Sequence, residues 1–402
     1  MQSQSSLSFN LLLGIVGLFI GAKPLLDILG FGKSYYILIC LIIVIASAFL
    51  IKQRKASISV AVAITLFLGM CIFWGLVSVS QIGIFLSLFV IFNFLGAISF
   101  LKVFEIKKGS ANFFLSGFLA GVFILAVYII HDPSYFRGRL TVHENFNPSW
   151  FAAYMVSGML SVMVLFGIYS KIYYRIPIIV VFLLLIFLLI GSQGRNSLVA
   201  FFLSIIIYLF IIFLYLSYKT LDDLRIKKMY VYAGVIFAVT FSGLTLLMFN
   251  IIAWAEKAQL IEITRVLALF SGDSTAATAG RDIIFLRYYD VISMGHIFNG
   301  LGGAGHALER LYGVSTPPHN LYVLMIVETA GTLLLAWLFF IGYSIYISFK
   351  RKSGNIFIIT MFLVFFAAGN DLIFYLYFWN IIFILVACLA LSKEQHNNRR
   401  FG

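Results

Sequence analysis

Residues 176–190 read IPIIVVFLLLIFLLI, fifteen residues without a charge or an amide. A strand is rarely that long, and a helix with this sequence is apolar all the way round. Such a helix needs lipid or a deep core on every side, and a bilayer span takes about 20 apolar residues. Comparable stretches recur near 9–30, 34–51, 57–80, 81–101, 111–131, 148–169, 174–192, 195–217, 229–254, 318–348, 354–371 and 372–392. The chain is 62% hydrophobic and 11% charged over 402 residues, too little polar surface to cover a soluble globule. The expected fold is an all-α polytopic membrane protein, one transmembrane domain over 1–402 with about twelve transmembrane helices. The first stretch has no basic start and no small-residue cleavage site, so it reads as a span and not as a removed signal peptide.

The net charge of +13 raises the question of nucleic acid, and its distribution answers it. Lys52/Arg54/Lys55, Lys102/Lys107/Lys108, Lys171/Arg175, Lys219/Arg225/Lys227/Lys228, Lys350/Arg351/Lys352 and Lys393/Arg399/Arg400 fall in alternate loops, 18 of the 28 basic residues. The other loops hold 10, of which 5 lie in one long segment. By the positive-inside rule both termini are cytoplasmic, and no nucleic-acid partner is needed to explain the charge. Cys40, Cys71 and Cys388 sit inside apolar stretches without ligand spacing and read as core side chains.

Two external segments carry the remaining chemistry. A small loop, 131–147, includes Arg137 and Arg139 with His143 and Glu144. A large loop, 255–317, has an amphipathic part (Leu260, Ile261, Ile263, Leu267 and Phe270 opposite Glu256, Lys257, Glu262 and Arg265) suited to a bilayer surface. Its end is TPPHN, where Pro317 and Pro318 stiffen the approach to His319 and Asn320 at the mouth of an apolar helix. His319 can accept a proton near neutral pH; the plainer role for it or Asn320 is to cap that helix. Glu328 lies nine residues on, facing away from His319 on a regular helix, and is expected to meet another helix. Tyr322 is a further polar group on the same segment.

Arg281 opens RDIIFLRYYDVI, expected to be a short helix, where an arginine fork and free N–H groups together suit an anion. Arg287, six residues on, faces elsewhere and is placed to pair with Asp290. Arg195, in GSQGRNS, is the sole basic residue between two apolar stretches. GLGGAG (300–305) matches the dinucleotide pattern only formally, because no βαβ context surrounds it, and reads as a flexible turn. The chain has no D-x-D pair, no metal-ligand cluster and no P-loop, so no metal and no cofactor is expected.

As a set, an external Gly-Arg helix, a Gly-rich turn, HNLYVLMIVETAG (319–331) and an arginine in SQGR resemble the bacterial O-antigen polymerases (Wzy type) and O-antigen ligases (WaaL type). The motifs cover roughly 190 to 345. The resemblance implies a GT-C-like membrane glycosyltransferase, with large-loop short helices forming part of its active site. Its substrate would be an undecaprenyl-pyrophosphate-linked oligosaccharide at the periplasmic face of the bacterial inner membrane. It further implies that Arg281 and Arg195 neutralise the leaving pyrophosphate and that His319 is the base. Arg287, Arg137, Arg139, Asn320, Tyr322 and Glu328 are the expected substrate-binding residues. Membrane lipids and a chain-length regulator protein are the implied partners. Ligases carry His, ten residues, then Gly; here eleven separate His319 from Gly331, a departure that favours the polymerase. The ligase, and a lipid-linked-sugar flippase or other transporter, stay open as alternatives.

Overall fold

The computed structural model describes residues 2–30, 81–107, 109–136, 138–143, 146–219, 281–293, 320–329, 331–369 and 376–401. In chain order its elements are α1 (Gln2–Gly21), α2 (Lys23–Ile28), α3 (Gln81–Ile106), α4 (Ser110–His131), β1 (Ser134–Phe136), β2 (Arg139–Thr141), α5 (Pro148–Ile168), α6 (Ile172–Ser192), α7 (Arg195–Lys219), α8 (Arg281–Val291), α9 (Leu321–Thr329), α10 (Thr332–Arg351), α11 (Gly354–Ala368) and α12 (Leu376–Phe401). Seven helices among the described residues, α3 to α7, α10 and α12, are long and apolar enough to cross a membrane. Their length and apolar composition are consistent with a multi-pass membrane protein. The expected spans near 34–51, 57–80 and 229–254 lie outside the described residues.

Helix boundaries follow local chemistry. α5 begins where Asn147 caps it, its side-chain oxygen accepting the Ser149 N–H at 2.9 Å, with Pro148 in the first turn. α6 stops at Gln193, a non-glycine residue at φ 51°. α5 and α12 form the centre of the bundle and are buried along most of their length, whereas α6, α7 and α10 face outward. Phe339 on α10 is 78% exposed and Phe187 on α6 is 67% exposed, the pattern of helices solvated by lipid.

The closest pairing joins α1 to α4. A Cβ on Gly17 would stand 2.2 Å from the Phe114 carbonyl oxygen, and one on Gly117 would stand 1.9 Å from that of Gly14. Only residues without a side chain let the two backbones approach this far. In lipid, where burial of apolar surface does not draw helices together, such contact supplies the association.

Three expectations are corrected. The first span is broken at Ala22, so α1 is followed by a separate short helix in which Lys23 pairs with Asp27 one turn on. The stretch 318–348 is likewise two helices, α9 and α10, because Gly331 adopts φ +75° between them. Finally, the fold is not wholly α: β1 and β2 form an antiparallel hairpin pairing Phe136 with Arg139 and Ser134 with Thr141. Gly138, at φ +73°, makes its two-residue turn possible.

The bundle has a basic end and an opposite end. At the basic end Lys393 pairs with Glu105 at 2.8 Å, and Arg351 Nη1 donates to the Leu389 carbonyl at 2.6 Å and to Ser392 Oγ at 2.9 Å. α11 starts at the basic end, beside Ser353, and finishes at the other.

Candidate functional site

The far end of α11 is where the starts of α7 and α9 meet. A helix ends with carbonyls that have no donor of their own, and here two asparagines from distant parts of the chain supply donors. Asn196, in the first turn of α7, donates through Nδ2 to the Gly369 carbonyl. Asn320 donates through Nδ2 to the Ala368 carbonyl at 3.0 Å. These carbonyls belong to consecutive residues, so the start of α7 and the start of α9 converge on one spot. Gly369 is required for the approach: a Cβ there would lie 2.6 Å from Asn196 Nδ2.

Arg195 precedes Asn196 and opens α7. Its turn is built from its neighbours: Ser192 Oγ donates to the Leu189 carbonyl at 2.6 Å and accepts the Gly194 N–H at 3.2 Å. Gly194 sits against α5, where a Cβ would come within 2.1 Å of Ala152 Cβ. Two polar atoms of this turn are buried without a partner, Gln193 Oε1 and Ser197 Oγ.

Asn320 performs the capping role. Its Oδ1 accepts the Val323 N–H at 3.1 Å while its Nδ2 holds α11, so one carboxamide both starts α9 and anchors it. Tyr322 adds a second anchor, its hydroxyl donating to the Val364 carbonyl at 2.8 Å. Glu328 lies in the last turn of α9. His319 lies outside the described residues, as does Arg137.

α8 is the expected short helix and it packs on α9. Tyr288 and Val291 form a small apolar cluster with Val327, flanked by Ile284, Ile292 and Val323. Arg287 is exposed on another face and makes no ion pair with Asp290, correcting the expected contact.

Arg139 connects the hairpin to the same region. Its Nε donates to the Ser192 carbonyl at 3.1 Å, and its Nη2 donates to Ser149 Oγ at 3.3 Å and the Gln193 carbonyl at 3.4 Å. Gln193 Nε2 reaches back to the Gly138 carbonyl at 3.4 Å. The Arg139 fork thus closes the carbonyl end of α6, a positioning contact. The hairpin is thus bonded to the SQGRN turn, and α7 and the start of α9 are both bonded to the end of α11, while α8 packs further along α9.

No family model, curated protein or solved structure matches this chain.

Sequence reasoning missed Asn196 and Gly369. The available signal was the repeated pairing of a cation or imidazole with asparagine, Arg195-Asn196 and His319-Asn320. In each pair the asparagine is the residue that bonds the end of α11.

Proposed function

We propose that this protein is a metal-independent, polyprenyl-pyrophosphate-dependent glycosyltransferase: an O-antigen polymerase acting at the external face of the bacterial inner membrane. It moves a growing glycan from undecaprenyl pyrophosphate onto an undecaprenyl-pyrophosphate-linked repeat unit. The observation that supports this reading is the pair of asparagine bonds to Gly369 and Ala368. They bring the turn bearing Arg195 and the start of α9 to one helix end, and α8, the helix that Arg281 opens, packs further along α9.

In this reading an acceptor sugar hydroxyl attacks the anomeric carbon of the donor. The bond from that carbon to the pyrophosphate oxygen breaks, and undecaprenyl pyrophosphate leaves with the electron pair. His319 takes the hydroxyl proton. Arg281 and Arg195 offset the charge that grows on the leaving pyrophosphate, for which a planar, permanently charged guanidinium is suited. Arg139, with Nε and Nη2 engaged by α6 and Ser149, holds the hairpin in place. The site lies at the end opposite the basic one, so the positive-inside rule makes it periplasmic and both termini cytoplasmic.

The test supplies purified protein with a synthetic undecaprenyl-pyrophosphate oligosaccharide, a chelator and nothing else. A polymerase uses one molecule as donor and another as acceptor, so a ladder of longer lipid-linked glycans is expected, with undecaprenyl pyrophosphate released. Unchanged substrate, followed by transfer once lipid A–core is added, would replace the polymerase with a ligase. Movement of the lipid across a liposome bilayer without any elongation would replace both with a flippase.

A further inference from the structure

At the basic end, the turn between α5 and α6 differs from the cluster around Glu105 in how its cations are held. Lys102 and Lys393 there lie beside Glu105, and Arg351 donates to Leu389 and Ser392. Among the described residues Lys171 and Arg175 have no carboxylate partner: residues 166–187 contain neither Asp nor Glu, and neither cation belongs to an ion pair. They rest on aromatic rings. Lys171 Nζ lies 5.7 Å from the Tyr173 centroid, and the Arg175 guanidinium carbon lies 4.6 Å from that of Phe166. Arg175 is fixed further by Nε, which donates to the Tyr169 carbonyl at 2.7 Å. Tyr173 and Tyr174 stand 4.3 Å apart beside them, both about half exposed. Two cations one turn apart are thus held in place with no carboxylate partner among the described residues.

The surface continues from this turn as an apolar stripe. Ile172, Ile176, Ile179, Val180, Leu183 and Phe187 are all exposed and fall within about 100° of one another around α6. Arg175 and Tyr173 flank its upper end on opposite sides. Charge at one end and an uninterrupted hydrocarbon face below it match the two halves of one molecule. We infer that the α5–α6 turn is a binding site for an anionic phospholipid, its headgroup phosphate held by Lys171 and Arg175 and its acyl chains lying along the α6 stripe. A zwitterionic lipid fits the stripe equally well but offers no net charge to the turn. This site is independent of the glycan reading, because it lies at the other end of the bundle.

The experiment uses the full-length protein in detergent, with dioleoyl phosphatidylglycerol and dioleoyl phosphatidylcholine compared by native mass spectrometry. Preferential retention of phosphatidylglycerol is expected. The Lys171→Gln variant removes one charge without touching a backbone contact and is expected to reduce that preference about fivefold. Lys350→Gln, which removes an exposed lysine lying over Tyr346 at the end of α10, is expected to leave it unchanged. Equal retention of the two lipids by the wild type would overturn the inference. So would a Lys171→Gln variant that behaves as Lys350→Gln does.

Discussion

Gly117→Ala and Gly342→Ala are the same chemical change in two apolar helices, and the structure gives them opposite signs. At 117 the new Cβ would stand 1.9 Å from the Gly14 carbonyl oxygen, 2.7 Å from its carbon and 2.9 Å from its Cα. All three are backbone atoms, so no side-chain rotation relieves the clash. Ordinary contact begins at 3.4 Å, so α1 and α4 have to part by about 1.5 Å. A gap of 0.5–1 Å already forfeits about a quarter to a half of a dispersion contact, and this opening affects the neighbouring contacts at Gly14, Gly17, Gly21 and Gly121 as well. Overpacking usually costs about 1–3 kcal/mol, and the backbone-on-backbone geometry puts this case at about 3 kcal/mol or above. At 342 nothing lies within 4 Å of the added methyl. Alanine there gains helix propensity, up to about 1 kcal/mol. The two variants should differ by about 4 kcal/mol, read as the midpoint of SDS-driven unfolding in mixed micelles by tryptophan fluorescence. Coincident midpoints for Gly117→Ala and the wild type would refute the α1–α4 contact.

Asn320→Ala removes both the α9 cap and the bond to Ala368, for a loss of about 2 kcal/mol in the same unfolding assay. Asn320→Ser keeps a capping oxygen and should recover about half; equal loss in both would leave the cap without a contribution. Arg281→Lys should lower sugar transfer because a point charge replaces a two-pronged fork, while Arg287→Lys, on an exposed face, should change it little. Full activity in both lysine variants would remove Arg281 from the pyrophosphate. Cysteines at Ser134, in the hairpin, and at Ser353, at the basic end, should react oppositely with an impermeant thiol reagent on intact cells. Labelling at Ser353 alone would invert the orientation.

The runs 148–168 and 172–192 could be read from the sequence almost to the residue, because the constraint there is local. In lipid every backbone N–H and C=O must find a partner inside its own segment, so apolar length, a capping Asn147-Pro148 and a polar break define the helix. The eleven-residue α8 was legible for a different reason, as the short segment that Arg281 opens directly after Gly280. The hairpin was signalled by Arg137-Gly138 between short β-prone runs, but six strand residues are easily lost between long helices. Nothing local marked Gly331 as a break and Gly342 as a helix interior, since a glycine's role depends on what approaches it. The same holds for the candidate site. Arg195, Arg281, Asn320 and Tyr322 stand out as polar groups at the ends of apolar helices, where their desolvation would otherwise be costly. That Asn196 and Asn320 share the end of α11 could be decided only by the folded chain. Their partners are backbone carbonyls, which every residue carries and no sequence distinguishes, 173 and 48 positions away.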